Sequence, residues 1–70
     1  MGFHVGDKVS WNWGSGTGEG EITERFETDV ERTLDGTKVK RNASQDEPAF
    51  LITQEDGAKV LKSCTELTSA

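Results

Sequence analysis

The 70-residue sequence has no tyrosine, and proline, cysteine, histidine and methionine occur once each. A lone cysteine excludes a disulfide within the chain and fits a reducing compartment. Metal sites need several His, Cys or clustered carboxylates at set spacing, and His4 and Cys64 stand at opposite ends of the sequence. His4 is also the sole histidine available as a base for a serine or for Cys64, so no nucleophile–base pair is expected. No apolar run approaches the roughly 18 residues of a membrane span. The opening Met1-Gly2-Phe3-His4-Val5-Gly6 has neither the basic flank nor the apolar stretch of a signal peptide. These absences lead to one small cytoplasmic domain, monomeric, with no cofactor, no metal and no membrane contact.

What is present is glycine and acid. Thirteen acids against eight bases give a net charge of −5. Residues 1–36 hold eight acids and three bases, and residues 37–70 hold five of each. All of the excess therefore lies in the first half, where Glu19, Glu21, Glu24, Glu27, Asp29 and Glu31 are relieved by Arg25. Nucleic-acid affinity rests on Lys and Arg neutralising phosphates. The local basic cluster Lys38, Lys40 and Arg41 is the place where such binding would have to occur.

The periodicity is that of strands. Lys8 to Trp13 alternates polar and apolar residues, placing Val9, Trp11 and Trp13 on one face. Gly14-Ser15-Gly16-Thr17-Gly18 reads as a flexible loop, followed by a second strand from Glu19 to Phe26. Residues 29–34 and 37–41 flank Asp35-Gly36, a dipeptide suited to a turn that needs positive φ at both central positions. Residues 49–54 and 58–62 flank Glu55-Asp56-Gly57 in the same way. Asn42 to Pro48 is a polar loop, and Pro48 stands where a strand can begin without its missing N–H. A single helical turn is expected at Cys64–Leu67. Five or six short antiparallel strands predict an all-β, closed or nearly closed barrel spanning residues 4–68, with 1–3 and 69–70 frayed. The expected core is Val9, Trp11, Ile22, Val30, Val39, Phe50, Ile52, Val60 and Leu67.

The glycine-rich segment is not a phosphate loop. Residues 14–20 contain neither G-x-G-x-x-G nor G-x-x-x-x-G-K-[ST], strand-like Ile22-Thr23-Glu24 follows instead of a helix, and Glu19 and Glu21 would repel phosphate. Asn42-Ala43-Ser44 matches a glycosylation sequon and is read as a polar turn. A core this small leaves little margin for strained catalytic geometry, so the chain reads as a binding module and not an enzyme.

Gly6-Asp7-Lys8-Val9-Ser10-Trp11-Asn12-Trp13-Gly14, then Arg41-Asn42-Ala43-Ser44, Pro48-Ala49-Phe50-Leu51-Ile52, Asp56-Gly57, Val60-Leu61-Lys62-Ser63 and Glu66-Leu67 form an ordered pattern. It resembles the hypervirulence-associated protein Tudor-domain family over residues 4–68. The resemblance implies an SH3-like, Tudor-type β-barrel and brings no catalytic motif. Cys64 stands where that pattern leads to a histidine. Tudor-type folds commonly hold methylated lysine or arginine in an aromatic cage at one rim, where ring faces attract the cation. The candidate rings are Trp13 and Phe50, with Trp11 assigned to the core and Phe26 a lesser candidate. Two functional readings follow. In the first, a protein or peptide partner is held at an acidic, aromatic-edged rim of Trp13, Phe50, Glu19 and Glu21. In the second, Lys38, Lys40 and Arg41 bind nucleic acid or a nucleotide while Phe50 or Trp13 stacks on a base.

Overall fold

The computed structural model describes residues 2–70. Its strands are β1 (Lys8–Trp13), β2 (Gly16–Phe26), β3 (Val30–Leu34), β4 (Thr37–Arg41), β5 (Ala49–Thr53), β6 (Lys59–Ser63) and β7 (Thr68–Ser69), with a 3₁₀ turn at Cys64–Glu66. The chain is all-β and antiparallel. One sheet runs β6-β5-β2-β1-β7, and β3 and β4 form a separate two-stranded hairpin. Six principal strands match the expectation, and the two-residue β7 adds a seventh.

The turns follow from their glycines. Asp35 and Gly36 have φ of 52° and 77°, so both central residues of the β3–β4 turn are left-handed, as the Asp-Gly pair requires. At the β5–β6 connection Gly57 has φ of 88°, and its N–H donates to the Gln54 carbonyl while Gln54 N–H donates to the Ala58 carbonyl. Asp56 Oδ1 accepts from Ala58 N–H at 3.0 Å and braces that turn. Cys64–Glu66 is the single helical turn expected there. It is closed by a capping box in which Ser63 Oγ accepts from Thr65 N–H and Glu66 Oε1 accepts from Ser63 N–H at 2.8 Å.

The glycine-rich segment departs from expectation. Of Gly14–Gly18, residues 16–18 belong to β2, and the turn is reduced to Gly14-Ser15. Cross-strand pairing explains why glycine is tolerated in that strand. Trp13 lies opposite Gly16, Trp11 opposite Gly18 and Val9 opposite Gly20. A Cβ on Gly18 would stand 2.5 Å from Trp11 Cε2, and one on Gly20 would stand 2.7 Å from both Ile52 Cγ2 and the Thr53 carbonyl oxygen. The space beside these glycines is filled by side chains from neighbouring strands, and that packing offsets the glycine's own conformational cost.

Successive side chains alternate between sheet faces, so the register assigns each residue to a side. The inner face carries Val9, Trp11, Ile22, Phe50, Ile52 and Leu67, which form one buried cluster. Phe3 closes its edge with its ring T-shaped to Phe50, centroids 6.0 Å apart. The outer face carries Ala49 and Leu61, which with Val30 form a second cluster beneath the β3–β4 hairpin. β5 is buried on both sides for this reason. Val39 and Val60, expected in the core, are half-buried and pack against these clusters, while Ala49, Leu51 and Leu61 are buried as well.

Both ends of the described chain make contacts with the sheet. Besides the Phe3–Phe50 contact, Asp7 Oδ2 accepts from His4 N–H at 2.8 Å, and Gly6 N–H donates to the Ile22 carbonyl. Ser69 pairs with Val9, and Ala70 N–H donates to the Lys8 carbonyl. Met1 lies outside the described residues.

Candidate functional site

Lys8, Glu19 and Glu21 project from the outer face of the sheet, where Lys8 stands opposite Glu21 and Glu21 opposite Thr53. The β3–β4 hairpin covers one end of this face and leaves the other open. On the open end lies a groove of ≈ 850 Å³ whose charged lining is Lys8, Glu19, Glu21, Glu55 and Asp56. Four carboxylates therefore face one ammonium, and Lys8 Nζ already lies 3.9 Å from Glu21 Oε1. β2 supplies Glu19 and Glu21, and the β5–β6 turn supplies Glu55 and Asp56. The second pair is distant in sequence from the first acidic run and reads there as part of a turn.

Trp13 does not share this face. It alternates with Val9 and Trp11 and emerges at the end of β1, with 61% of its surface exposed. It stands opposite Gly16, where an added Cβ would lie 3.4 Å from the indole Cζ2. The predicted union of Trp13 with Glu19 and Glu21 in one rim is thus resolved into two surfaces, an aromatic edge and an acidic groove. Phe50, expected both in the core and at the rim, lies in the core. It is 0% exposed at the centre of the inner cluster, so its ring packs against the core and is presented to neither a peptide nor a base. Its position in the unbroken apolar run Ala49–Ile52, buried on both faces, carries no period to mark a rim residue.

The basic cluster is divided too. Lys38 and Lys40 share one face of the hairpin, with Lys40 directly opposite Glu31. Arg41 projects from the other face, and its Nε donates to Glu66 Oε1 at 2.8 Å while a terminal nitrogen reaches Glu66 Oε2 at 3.4 Å. Lys62 Nζ lies 3.6 Å from the same carboxylate. Partial burial alone would raise the Glu66 carboxyl above its ordinary 4.5. The Arg41 hydrogen bond, the Ser63 N–H and the charges of Arg41 and Lys62 outweigh it, and the carboxyl is held below that value. Arg41 is thereby engaged in holding the hairpin to the β6 corner. Phe26, the lesser candidate ring, is half-buried and carries the Arg32 guanidinium 4.9 Å above its centroid.

Among the described residues no helix is long and apolar enough to cross a membrane. Comparison with curated proteins and with solved structures found no match. The comparison with family models did: the model for the Tudor domain of hypervirulence-associated proteins matches residues 6–67, from the turn that enters β1 to the last core leucine. A Tudor-type domain is generally a small module for binding protein or nucleic acid. The chain belongs to the hypervirulence-associated protein Tudor-domain family.

Proposed function

We propose that this domain is a non-enzymatic module that binds a lysine- or arginine-rich segment of a partner protein in the acidic groove. The observation that carries the reading is the groove's lining, four carboxylates against one ammonium that is already paired. An extended cationic segment laid along the sheet would meet Glu19 and Glu21 on one wall and Glu55 and Asp56 on the other. Complementary charge of this kind sets association rate and partner choice. Trp13 is a second contact in this reading, available to a partner long enough to pass the β1–β2 turn. The nucleic-acid reading has less support, because Lys40 faces Glu31 and Arg41 is held by Glu66.

The test is an amide NMR titration of labelled protein with a short lysine- and arginine-rich peptide, and separately with a mixed-sequence RNA, at low and moderate salt. The expected result is salt-sensitive shifts at Glu19, Glu21, Glu55 and Asp56 with the peptide and none with the RNA. Shifts confined to Lys38–Arg41 on adding RNA would replace the proposal with the nucleic-acid reading. A spectrum that both ligands leave unmoved would remove the groove as a binding site for cationic segments.

A further inference from the structure

The β3–β4 hairpin stands apart from the rest of the fold in how it is held. Among the described residues every other strand shares a ladder of backbone hydrogen bonds with the five-stranded sheet, whereas β3 and β4 pair only with each other. Asp29 Oδ1 accepts from Ala43 N–H at 3.0 Å, which ties the two ends of the hairpin together and closes it as a unit. Among the described residues, three kinds of contact join this unit to the sheet. Val30, Leu34 and Val39 share the second apolar cluster with Phe26, Ala49 and Leu61. Arg32 covers the Phe26 ring. Arg41 is held by Glu66 through Nε and one terminal nitrogen, while its other terminal nitrogen donates to the Lys40 carbonyl at 2.9 Å.

We infer that the β3–β4 hairpin is a cover that opens as one unit from the face of β5 and β6, with the Arg41–Glu66 pair as its latch. A segment without ladder bonds to its neighbours can leave without breaking any sheet hydrogen bond, so its opening costs less than global unfolding. The larger cluster around Val9, Trp11, Ile22, Phe50 and Ile52 lies on the other side of the sheet and is untouched by that motion. Opening uncovers Ala49 and Leu61, fully buried side chains on the same face as the acidic groove. The latch is a bidentate arginine–carboxylate pair, a geometry that adds direction as well as strength. Glu66 is also fixed from its own side by Ser63 N–H and flanked by Lys62, so its carboxylate is aimed before Arg41 arrives. The inference is independent of what the groove binds.

Hydrogen exchange on the full chain tests it, read at the amides paired within the hairpin and at those paired within β1, β2 and β5. In the unaltered protein the hairpin amides are expected to exchange at least about tenfold faster than those of the sheet, the signature of a sub-global opening. Glu66→Gln keeps an acceptor for Ser63 N–H, because Gln serves in a capping box as Glu does, while weakening the bond to Arg41. It should speed hairpin exchange several-fold, whereas Ile22→Val, in the inner cluster that stays packed when the hairpin opens, should speed exchange in β1, β2 and β5 and leave that of the hairpin unchanged. Arg41→Gln should reproduce the several-fold acceleration of the hairpin without touching the capping turn. Hairpin exchange accelerated by Ile22→Val as much as that of the sheet would show that the hairpin opens only on global unfolding and would overturn the inference. Hairpin amides as protected as the sheet's in the unaltered protein would overturn it as well.

Discussion

At the scale of single residues the most constrained positions are glycines that have no turn to make. Gly18 and Gly20 sit inside β2, where side chains from β1 and β5 occupy the volume a Cβ would need. Gly18→Ala would press on the Trp11 indole, which is itself buried, so the ring has nowhere to go. Overpacking of a filled core commonly costs about 1–3 kcal/mol, and Gly18→Ala is expected in that range by urea denaturation. Gly16→Ala is the internal control. Its nearest contact is 3.4 Å from the exposed Trp13 ring, which can shift, so the change is expected to stay within about 0.5 kcal/mol. The two tryptophans should divide in the same way. Trp11→Ala is expected to cost about 3–5 kcal/mol as a buried aromatic truncation. Trp13→Ala should leave the unfolding midpoint close to that of the unaltered protein, and a large fall would show that its ring supports the β1–β2 hairpin.

At the scale of elements, the latch between β4 and the 3₁₀ turn makes stability depend on pH. The Glu66 carboxyl is held below its ordinary 4.5 in the fold. A group with a depressed folded pKa adds stability that is complete above its unfolded value and lost as pH falls through the folded one. Part of the acid destabilisation below about pH 4.5 is therefore assigned to Glu66. Glu66→Gln should lower the melting temperature at neutral pH and flatten its decline with acid over that window. A melting curve whose acid slope is unaltered by the substitution would remove Glu66 from the account.

This element was not legible in the sequence, because Arg41 and Glu66 are 25 residues apart and each is an ordinary surface charge until the chain folds. The same limit applies to Glu55 and Asp56, which read as turn residues and become groove residues once β5 lies beside β2. What could be read was local: the alternation in Lys8–Trp13, the positive-φ pair Asp35-Gly36, and Pro48 just before β5. Gly16–Gly18 read as loop because glycine disfavours strands on its own account, and only the partners across the ladder reverse that preference. Phe50 reads equally well as core and as rim, because a strand covered on both faces has no polar side to give the orientation away.

At the scale of the whole molecule, charge and apolar cover are segregated. The outer face of the sheet is sealed by the hairpin at one end and left acidic at the other, and the net charge of −5 is uneven in space as well as in sequence. Acids crowded around a groove repel one another, and this self-repulsion opposes the compact state. Replacing Glu19, Glu21 and Glu55 by Gln and Asp56 by Asn changes the net charge from −5 to −1, four acids being neutralised. The one ion pair lost, Lys8–Glu21, is exposed and long at 3.9 Å, and such pairs contribute about 0–1 kcal/mol. Asn at position 56 keeps the oxygen that accepts from Ala58 N–H, so the turn survives. The fourfold variant is therefore expected to unfold at the same or a higher denaturant concentration at low salt, with the two proteins converging as salt screens the repulsion. It should also lose affinity for the cationic peptide. Retained stability with lost binding is what a face kept acidic for a partner produces. A variant that binds as before would show that the carboxylates serve solubility alone, and one that unfolds would show that they hold the sheet together.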